Sequence, residues 1–286
     1  MISVAMATYN GGRFIRCQIE SILNQTLQPD EIVVCDDGST DDTVTVVREM
    51  AEADSRIHLY VNEDNLGPIQ NFAKAMRLCK GDYISLSDQD DVWDDDKLAV
   101  TLSKLLENEK KYPGKPVLVH SDLRVVDENL SFVNDSFWRM ARINPGLLGR
   151  YDFLSVRNCV TGNTAVFNRI ALDYVLPIPD CAVMHDHWIA LCVAKYGYID
   201  YVNRQTVSYR RHSANVVPVK SLNGSPVQRI INLRRTIRIR VMTYCMLRKL
   251  DRHSVFRMLF FIIFYRLYYQ FVMFGKRMFC RSKSYA

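Results

Sequence analysis

Two aspartates one residue apart, Asp88-Gln89-Asp90, follow the apolar stretch Tyr83-Ile84-Ser85-Leu86. At an extended strand end, residues i and i+2 point to the same side. Two carboxylates so placed, with Asp91 beside them, suit a hard dication such as Mn2+ or Mg2+ that also binds phosphate oxygens. The alternative is a solvated turn ahead of a helix. That alternative is the expectation for Asp94, Asp95 and Asp96, which can cap the next helix or oppose its dipole. Three other polar clusters follow apolar runs: Thr8-Tyr9-Asn10, Asp36-Asp37-Gly38-Ser39 and Asn65.

The elements that must position these groups alternate. Ile2–Ala7, Glu31–Cys35, Ile57–Val61 and Tyr83–Leu86 read as short buried strands. Between them run helical patterns: Phe14 to Leu23, a helix opened by Asp41-Asp42, and one around Phe72 and Met76. Strands alternating with helices imply βαβ units and a mainly parallel sheet. Ligands of such sheets bind beyond the carboxyl ends of the strands, where the polar clusters fall. The expected fold class is therefore α/β. No G-x-G-x-x-G or G-x-x-x-x-G-K-[ST] follows the first strand, which disfavours a standard dinucleotide fold and a P-loop. After a helix from Lys97 to about Lys110, Val117–His120 reads as a strand. Asn158–Phe167 reads as strand, turn, strand; His185 begins a helix through Ala194; Gln205–Arg210 is a further strand.

The chain has 286 residues and 8 cysteines, with no C-x-x-C pair and no ligand spacing for zinc. Reduced thiols in a cytosolic protein are expected. The net charge of +6 hides an asymmetry. From Pro226 onward there are 14 Lys+Arg against 1 acidic residue, while the remainder is acidic. The apolar start, Met1–Ala7, has no basic prelude and reads as a strand rather than a secretory signal.

The ordered combination A-x-x-T-Y-N, D-D-G-S-T-D-D-T, N-x-G, L-S-D-Q-D-D-V-W and Y-R-R-H-S-A-N, over about residues 2–216, resembles the family-2 glycosyltransferases of the GT-A fold, with a likeness to bacterial rhamnosyltransferases. The resemblance implies that Thr8, Tyr9 and Asn10 line a nucleotide pocket. It implies that Asp37 bonds the pyrimidine edge with Asp36 beside it; the competing reading is a plain turn. Asn65 is either a nucleotide contact or a loop former. Asp88 would meet the donor ribose or metal, with Gln89 beside it in the nucleotide-sugar site, and Asp90 would ligate the metal. His212 matches a histidine that closes the metal site, against a surface histidine beside Arg210 and Arg211, which can also pair with phosphates. Asp186 matches a catalytic base, against a helix cap. His185 departs from the family's Glu at that point, and His185 and His187 flank the base. Gly162 and Asn163 match an acceptor-side loop, against a hairpin turn. Trp188 is an acceptor wall or core.

The expected organisation is a catalytic domain over 1–220 and a basic, aromatic helical tail over 221–286. The apolar run Met258–Tyr265 is too short to cross a bilayer, and Arg266 penalises spanning. With Tyr265, Tyr268 and Tyr269 at the headgroup layer and Arg229, Arg234, Arg235, Arg238, Arg240, Arg248, Lys249, Lys276 and Arg277 around them, an amphipathic helical pair on the cytoplasmic face of the membrane is expected. The alternative is a tail that packs on the domain or self-associates into a homo-oligomer. The implied activity is inverting, metal-dependent transfer from dTDP-rhamnose or a UDP-sugar to a saccharide or lipid-linked saccharide, without a nucleic-acid partner. The competing functions are an inactive sugar-nucleotide-binding scaffold and a nucleotidyltransferase; the latter would carry a better Gly-rich, basic loop than Asn10-Gly11-Gly12-Arg13.

Overall fold

The computed structural model describes residues 1–212, 226–251, 256–265 and 267. The expected boundary at 220/221, Ser213-Ala214-Asn215 of the final motif, Arg266, Tyr268, Tyr269, Lys276, Arg277 and Cys280 lie outside the described residues, as do the side chains of Arg229 and Arg235.

In chain order the elements are β1 (Ile2–Thr8), α1 (Gly12–Leu23), β2 (Glu31–Asp36), α2 (Thr43–Ala53), β3 (Ile57–Val61), α3 (Gly67–Leu78), β4 (Tyr83–Ser87), β5 (Val92–Trp93), α4 (Lys97–Lys111) and β6 (Val117–Asp127). There follow β7 (Phe132–Asn134), the short helices α5 (Phe137–Ala141), α6 (Pro145–Leu148) and α7 (Tyr151–Leu154), β8 (Val166–Asn168), α8 (Leu172–Val175), α9 (His185–Tyr196), β9 (Tyr198–Arg211) and α10 (Pro226–Leu250). The sheet order is β3-β2-β1-β4-β8-β6-β9-β5, with β7 on β6. β3, β2, β1 and β4 are mutually parallel, β8 runs antiparallel between β4 and β6, and β6 and β9 are parallel. The chain steps from β1 to β2 on one side and returns to β4 on the other. That reversal opens the crevice beyond the strand ends where the polar clusters lie.

Strand residues alternate between two cores, because successive side chains leave opposite faces of the pleat. Ala5, Val33, Cys35, Ile84 and Leu86 face α3 and α9, against Phe72, Met76, Trp188 and Leu191. Val4, Met6, Ile32 and Val34 face α1, α2 and α4, against Ile15, Ile19, Val47 and Leu105. The second layer contains an unforeseen lysine. Lys97, at the start of α4, is fully buried; its Nζ donates to Ser85 Oγ at 2.8 Å and lies 3.3 Å from the Trp93 ring centroid. Burial holds its pKa well below that of a free lysine.

The stretch 158–167 departs from the expected strand-turn-strand. Thr161 leads into a single 3-10 turn, Gly162–Thr164, and only Val166–Asn168 pairs as a strand. The polar run Thr161-Gly162-Asn163-Thr164 finds its partners within that turn and behind the site, not along a ladder. Two of the aspartates before α4, Asp94 and Asp96, are ion-pair partners rather than side-chain caps. Asp96 occupies the N-cap without a side-chain cap bond and holds Arg204 at 2.6 Å, while Asp94 meets Arg124 Nη2 at 2.8 Å.

Described parts of α10 and of the helical stretch 256–265 pack against the α9-side core. Met246 and Leu247 of α10 are fully buried in the α9-side core, and Phe261, in the helical stretch 256–265, meets Phe153 edge-on. Between α9 and β9, Gly197 lies against the Pro116 carbonyl; a Cβ there would stand 1.8 Å from that oxygen. Backbone cannot swing aside as a side chain can. Gly197→Ala should therefore lower stability by roughly 1–3 kcal/mol, read as a falling melting temperature.

Candidate active site

The crevice is a cavity of about 1000 Å³. β1 delivers Thr8, Tyr9 and Asn10 to it, β2 delivers Asp37, the β3–α3 loop Asn65, and the end of β4 Asp88, Gln89 and Asp90. The other wall comes from the 157–162 segment, the start of α9 with Asp186, and the end of β9 with His212. Residues far apart in sequence thus share one space.

Much of the β1–β2 end of the cavity is held in place by its own hydrogen bonds. Gln89 Oε1 accepts from Thr8 Oγ1 at 2.6 Å and Tyr9 N at 2.8 Å, and its Nε2 donates to the Tyr9 carbonyl. This amide clips the β1 loop to the D-x-D segment. Asp37 Oδ1 accepts from Asn62 Nδ2 and Leu66 N, and Oδ2 from Gly67 N, so the carboxylate pins the β3–α3 loop while lining the cavity. Asn65 Nδ2 donates to the Asp37 carbonyl at 2.9 Å. Asp36 is fully buried and does not line the cavity. Its carboxylate accepts from Gly38 N, Ser39 N and Ser39 Oγ, which is the turn-building role.

The three acidic residues of the D-x-D-D segment diverge. Asp88 and Asp90 face the cavity. Asp91 turns inward, fully buried, where it accepts from Asn163 Nδ2 and from Arg210 N at 3.0 Å. Asn163 is thereby a brace behind the site and does not line the cavity. Arg210, a candidate phosphate partner, is also inward: Nε donates to the Asp90 carbonyl at 2.8 Å and Nη1 to the Glu128 carbonyl at 2.7 Å. Its guanidinium covers the Phe14 ring at 4.7 Å, and that ring stacks on His212 at 4.9 Å. His212 Nε2 lies 2.7 Å from Asp90 Oδ2. Phe14 carries no sequence signal of a site role, reading as one more apolar position of α1, and the inward clamp by Arg210 has no local signature either.

Asp186, in the first turn of α9, is half-buried at the cavity wall, and its Oδ1 has no hydrogen-bond partner among the described residues. Burial pushes its pKa up to about 7, against the opposing pull of the His187 and Gly162 N–H groups. It is not the N-cap of α9, which is Met184, without a side-chain cap bond. His185 stacks on Phe72 at 3.9 Å, and burial holds it neutral with its pKa lowered to about 3. His187 contacts the Leu154 carbonyl at 2.8 Å. Trp188 belongs to the core. It is buried off the cavity, and its indole N–H donates to the Val175 carbonyl at 2.8 Å. At Gly162 an added Cβ would come 2.8 Å from His185 Nε2, so glycine lets this loop close on the α9 start.

The donor set can be tested against a divalent cation. Burial and the neighbouring charges of Asp90 and Asp186 push Asp88 up to about 7, a concentration of negative charge that a hard cation would relieve. Carboxylate oxygens from Asp88 and Asp90 suit Mn2+ or Mg2+, and an imidazole from His212 fits Mn2+ better than Mg2+. Among the described residues no three His, Cys, Asp or Glu side chains are already gathered as a ligand cluster, so phosphate oxygens and water would have to complete the shell.

Residues 3–174 match the family model described as glycosyl transferase family 2. A UDP-Glc:alpha-D-GlcNAc-diphosphoundecaprenol beta-1,3-glucosyltransferase of Escherichia coli, WfgD, is 37% identical over 108 residues, 38% of this chain and 42% of that protein. WfaP, an Escherichia coli enzyme with the same printed activity, is 29% identical over 175 residues, 61% of this chain and 65% of that protein. The matches thus span less than two thirds of these relatives' lengths. Among solved structures, the mannosyltransferase PcManGT of Pyrobaculum calidifontis, in complex with GDP-Man and Mn2+, superposes with a TM-score of 0.59 at 21% identity, covering 90% of this chain and 66% of that one. S. aureus TarS 1-349 in complex with UDP-GlcNAc gives 0.58 at 18% identity, covering 76% and 61%. At such identities the likeness establishes the GT-A type of fold.

Proposed function

The chain belongs to glycosyl transferase family 2, and on that premise we propose that it transfers a sugar, with inversion, from a nucleotide-diphosphate donor to a lipid-linked saccharide in cell-surface polysaccharide synthesis. One observation carries the reading: Asp186, with an unpartnered carboxylate oxygen, shares a single cavity with the Asp88–Asp90 pair and the Thr8–Asp37 end. The nucleotide lies at the β1–β2 end. The acceptor hydroxyl gives its proton to Asp186 as its oxygen bonds to the anomeric carbon and the bond to the diphosphate breaks on the opposite face. Asp88, Asp90 and His212 would hold a dication, which when bound offsets charge on the departing diphosphate. Relatives named for UDP-Glc transfer to diphosphoundecaprenol-linked GlcNAc support a UDP-sugar donor and a lipid-linked acceptor; dTDP-rhamnose remains the competing donor. Donor hydrolysis across a panel of nucleotide sugars, with and without Mn2+, tests this. Metal-stimulated release of nucleoside diphosphate from one of them is expected. Release from none, at concentrations where UDP and GDP show no binding either, would refute it.

The tail supports attachment at the inner membrane surface. No helix among the described residues is long and apolar enough to cross a membrane. The stretch 256–265 nevertheless exposes Phe256 (83%), Phe260 (61%) and Ile263 (59%), and α10 presents Arg234, Arg238, Arg248 and Lys249 to solvent. Apolar side chains flanked by cations suit an anionic headgroup layer. Replacing Phe256, Phe260 and Ile263 together by serine should leave the melting temperature unchanged and weaken flotation with anionic vesicles by about tenfold or more. Unaltered flotation would show that another surface meets the lipid.

A further inference from the structure

The acceptor wall of the cavity carries a cation that the mechanism above does not use. Arg157 lines the cavity in the segment that leads to Gly162, whose backbone meets the Asp186 carboxylate. Its Nη2 donates to the Ala141 carbonyl at 2.5 Å, which fixes the guanidinium plane. Among the described residues it has no carboxylate partner, whereas Arg13, the other arginine of the lining, is paired with Glu128 at 3.0 Å. A second cation holds the residue before it. Arg240 of α10 donates through Nη1 to the Val156 carbonyl at 2.6 Å, and its charge also acts on His187, another lining residue. One cation thus lines the acceptor side and a second anchors the backbone next to it.

We infer that Arg157 binds the phosphate groups that join the acceptor saccharide to its lipid, with Arg240 as a positioning residue that holds the 156–157 segment from the tail. This rests on the transferase reading and adds the feature of the acceptor that the site recognises: a diphosphate ester. A planar guanidinium with one edge anchored offers its remaining N–H groups in a fork that matches phosphate oxygens. Sharing one cavity with Asp186 suits a ligand whose sugar hydroxyl reaches that carboxylate while its anionic linker stays at Arg157. The arrangement also gives the tail a role in catalysis, since α10 braces the acceptor wall at Val156 and, through Met246 Sδ at 3.3 Å, at Val183.

The test is binding of geranyl diphosphate to the full-length protein saturated with Mn2+ and UDP or GDP, so that the donor end is filled. The wild type should bind it, Arg157→Ala should weaken binding at least tenfold, and Arg157→Lys should fall between. Arg13→Ala should bind as wild type, as should all variants presented with a geranyl glucoside that lacks phosphate. Arg240→Met should weaken diphosphate binding less than Arg157→Ala. Nucleotide affinity and donor hydrolysis should not change in Arg157→Ala, which confirms an intact fold. Failure of the wild type to bind the diphosphate, or equal binding by Arg157→Ala, overturns the inference while leaving the transferase reading intact. Loss of nucleotide binding and donor hydrolysis in the wild type would instead strike that reading.

Discussion

Asp186→Asn should abolish transfer, lowering kcat by about 10²–10⁴-fold, the range supplied by a positioned base, while donor binding stays near wild type. The amide keeps the shape and the N–H contacts of His187 and Gly162 but takes no proton. The same residue should set the acid limb of the pH profile. Burial raises its pKa to about 7, and a base works only when deprotonated, so activity should fall as pH drops through the apparent pKa. A dication near Asp88 and Asp90 favours the charged carboxylate and draws that value down toward the ordinary range. The limb should therefore move to lower pH when metal is saturating. A kcat for Asp186→Asn within threefold of wild type would assign the proton to another group. The neighbouring histidine is a poor substitute: His185 is held neutral with a pKa near 3, too weak a base to keep the proton it would have to take.

What was legible in sequence follows from period and position. The four parallel strands and three helices of the first half announce themselves because each strand is an apolar run ending in a polar cluster, and the crevice lies where those runs end. The segment 158–167 was misread because Gly162 and Asn163 look like a hairpin turn. In the fold, Asn163 instead bonds a buried carboxylate 72 positions away, a partner that no local pattern reveals. Asp91 groups with its neighbours for the same reason: three aspartates within four residues look alike until the strand end turns one of them into the core. Lys97 carries no local signal of burial: it is read only as a helix start, yet Ser85 and the Trp93 ring accommodate it inside. Trp188 and Asp36 each had two readings in sequence. Burial and saturated hydrogen bonds place them with the structural reading.

The second large effect concerns Asp90. Asp90→Asn should raise the Mn2+ concentration needed for half-maximal donor hydrolysis by on the order of 100-fold or more, since losing even an outer partner of a ligand costs 10–100-fold. The substitution keeps the volume and an oxygen that can face His212 Nε2, so the strand end should hold and the melting temperature change little. His212→Gln should act in the same direction but less strongly, because a neutral donor is lost rather than a charge. Phe14→Leu separates support from ligation. It removes the ring that stacks on His212 and lies under Arg210, yet takes away no donor atom. Its metal requirement should rise by less than that of His212→Gln, with donor KM nearly unchanged. If Asp90→Asn and wild type respond to Mn2+ alike, the paired carboxylates do not gather the cation. The charge crowded around Asp88 would then have to be met by the protein's own cations, and Arg210, committed to the Asp90 and Glu128 carbonyls, is poorly placed to supply it.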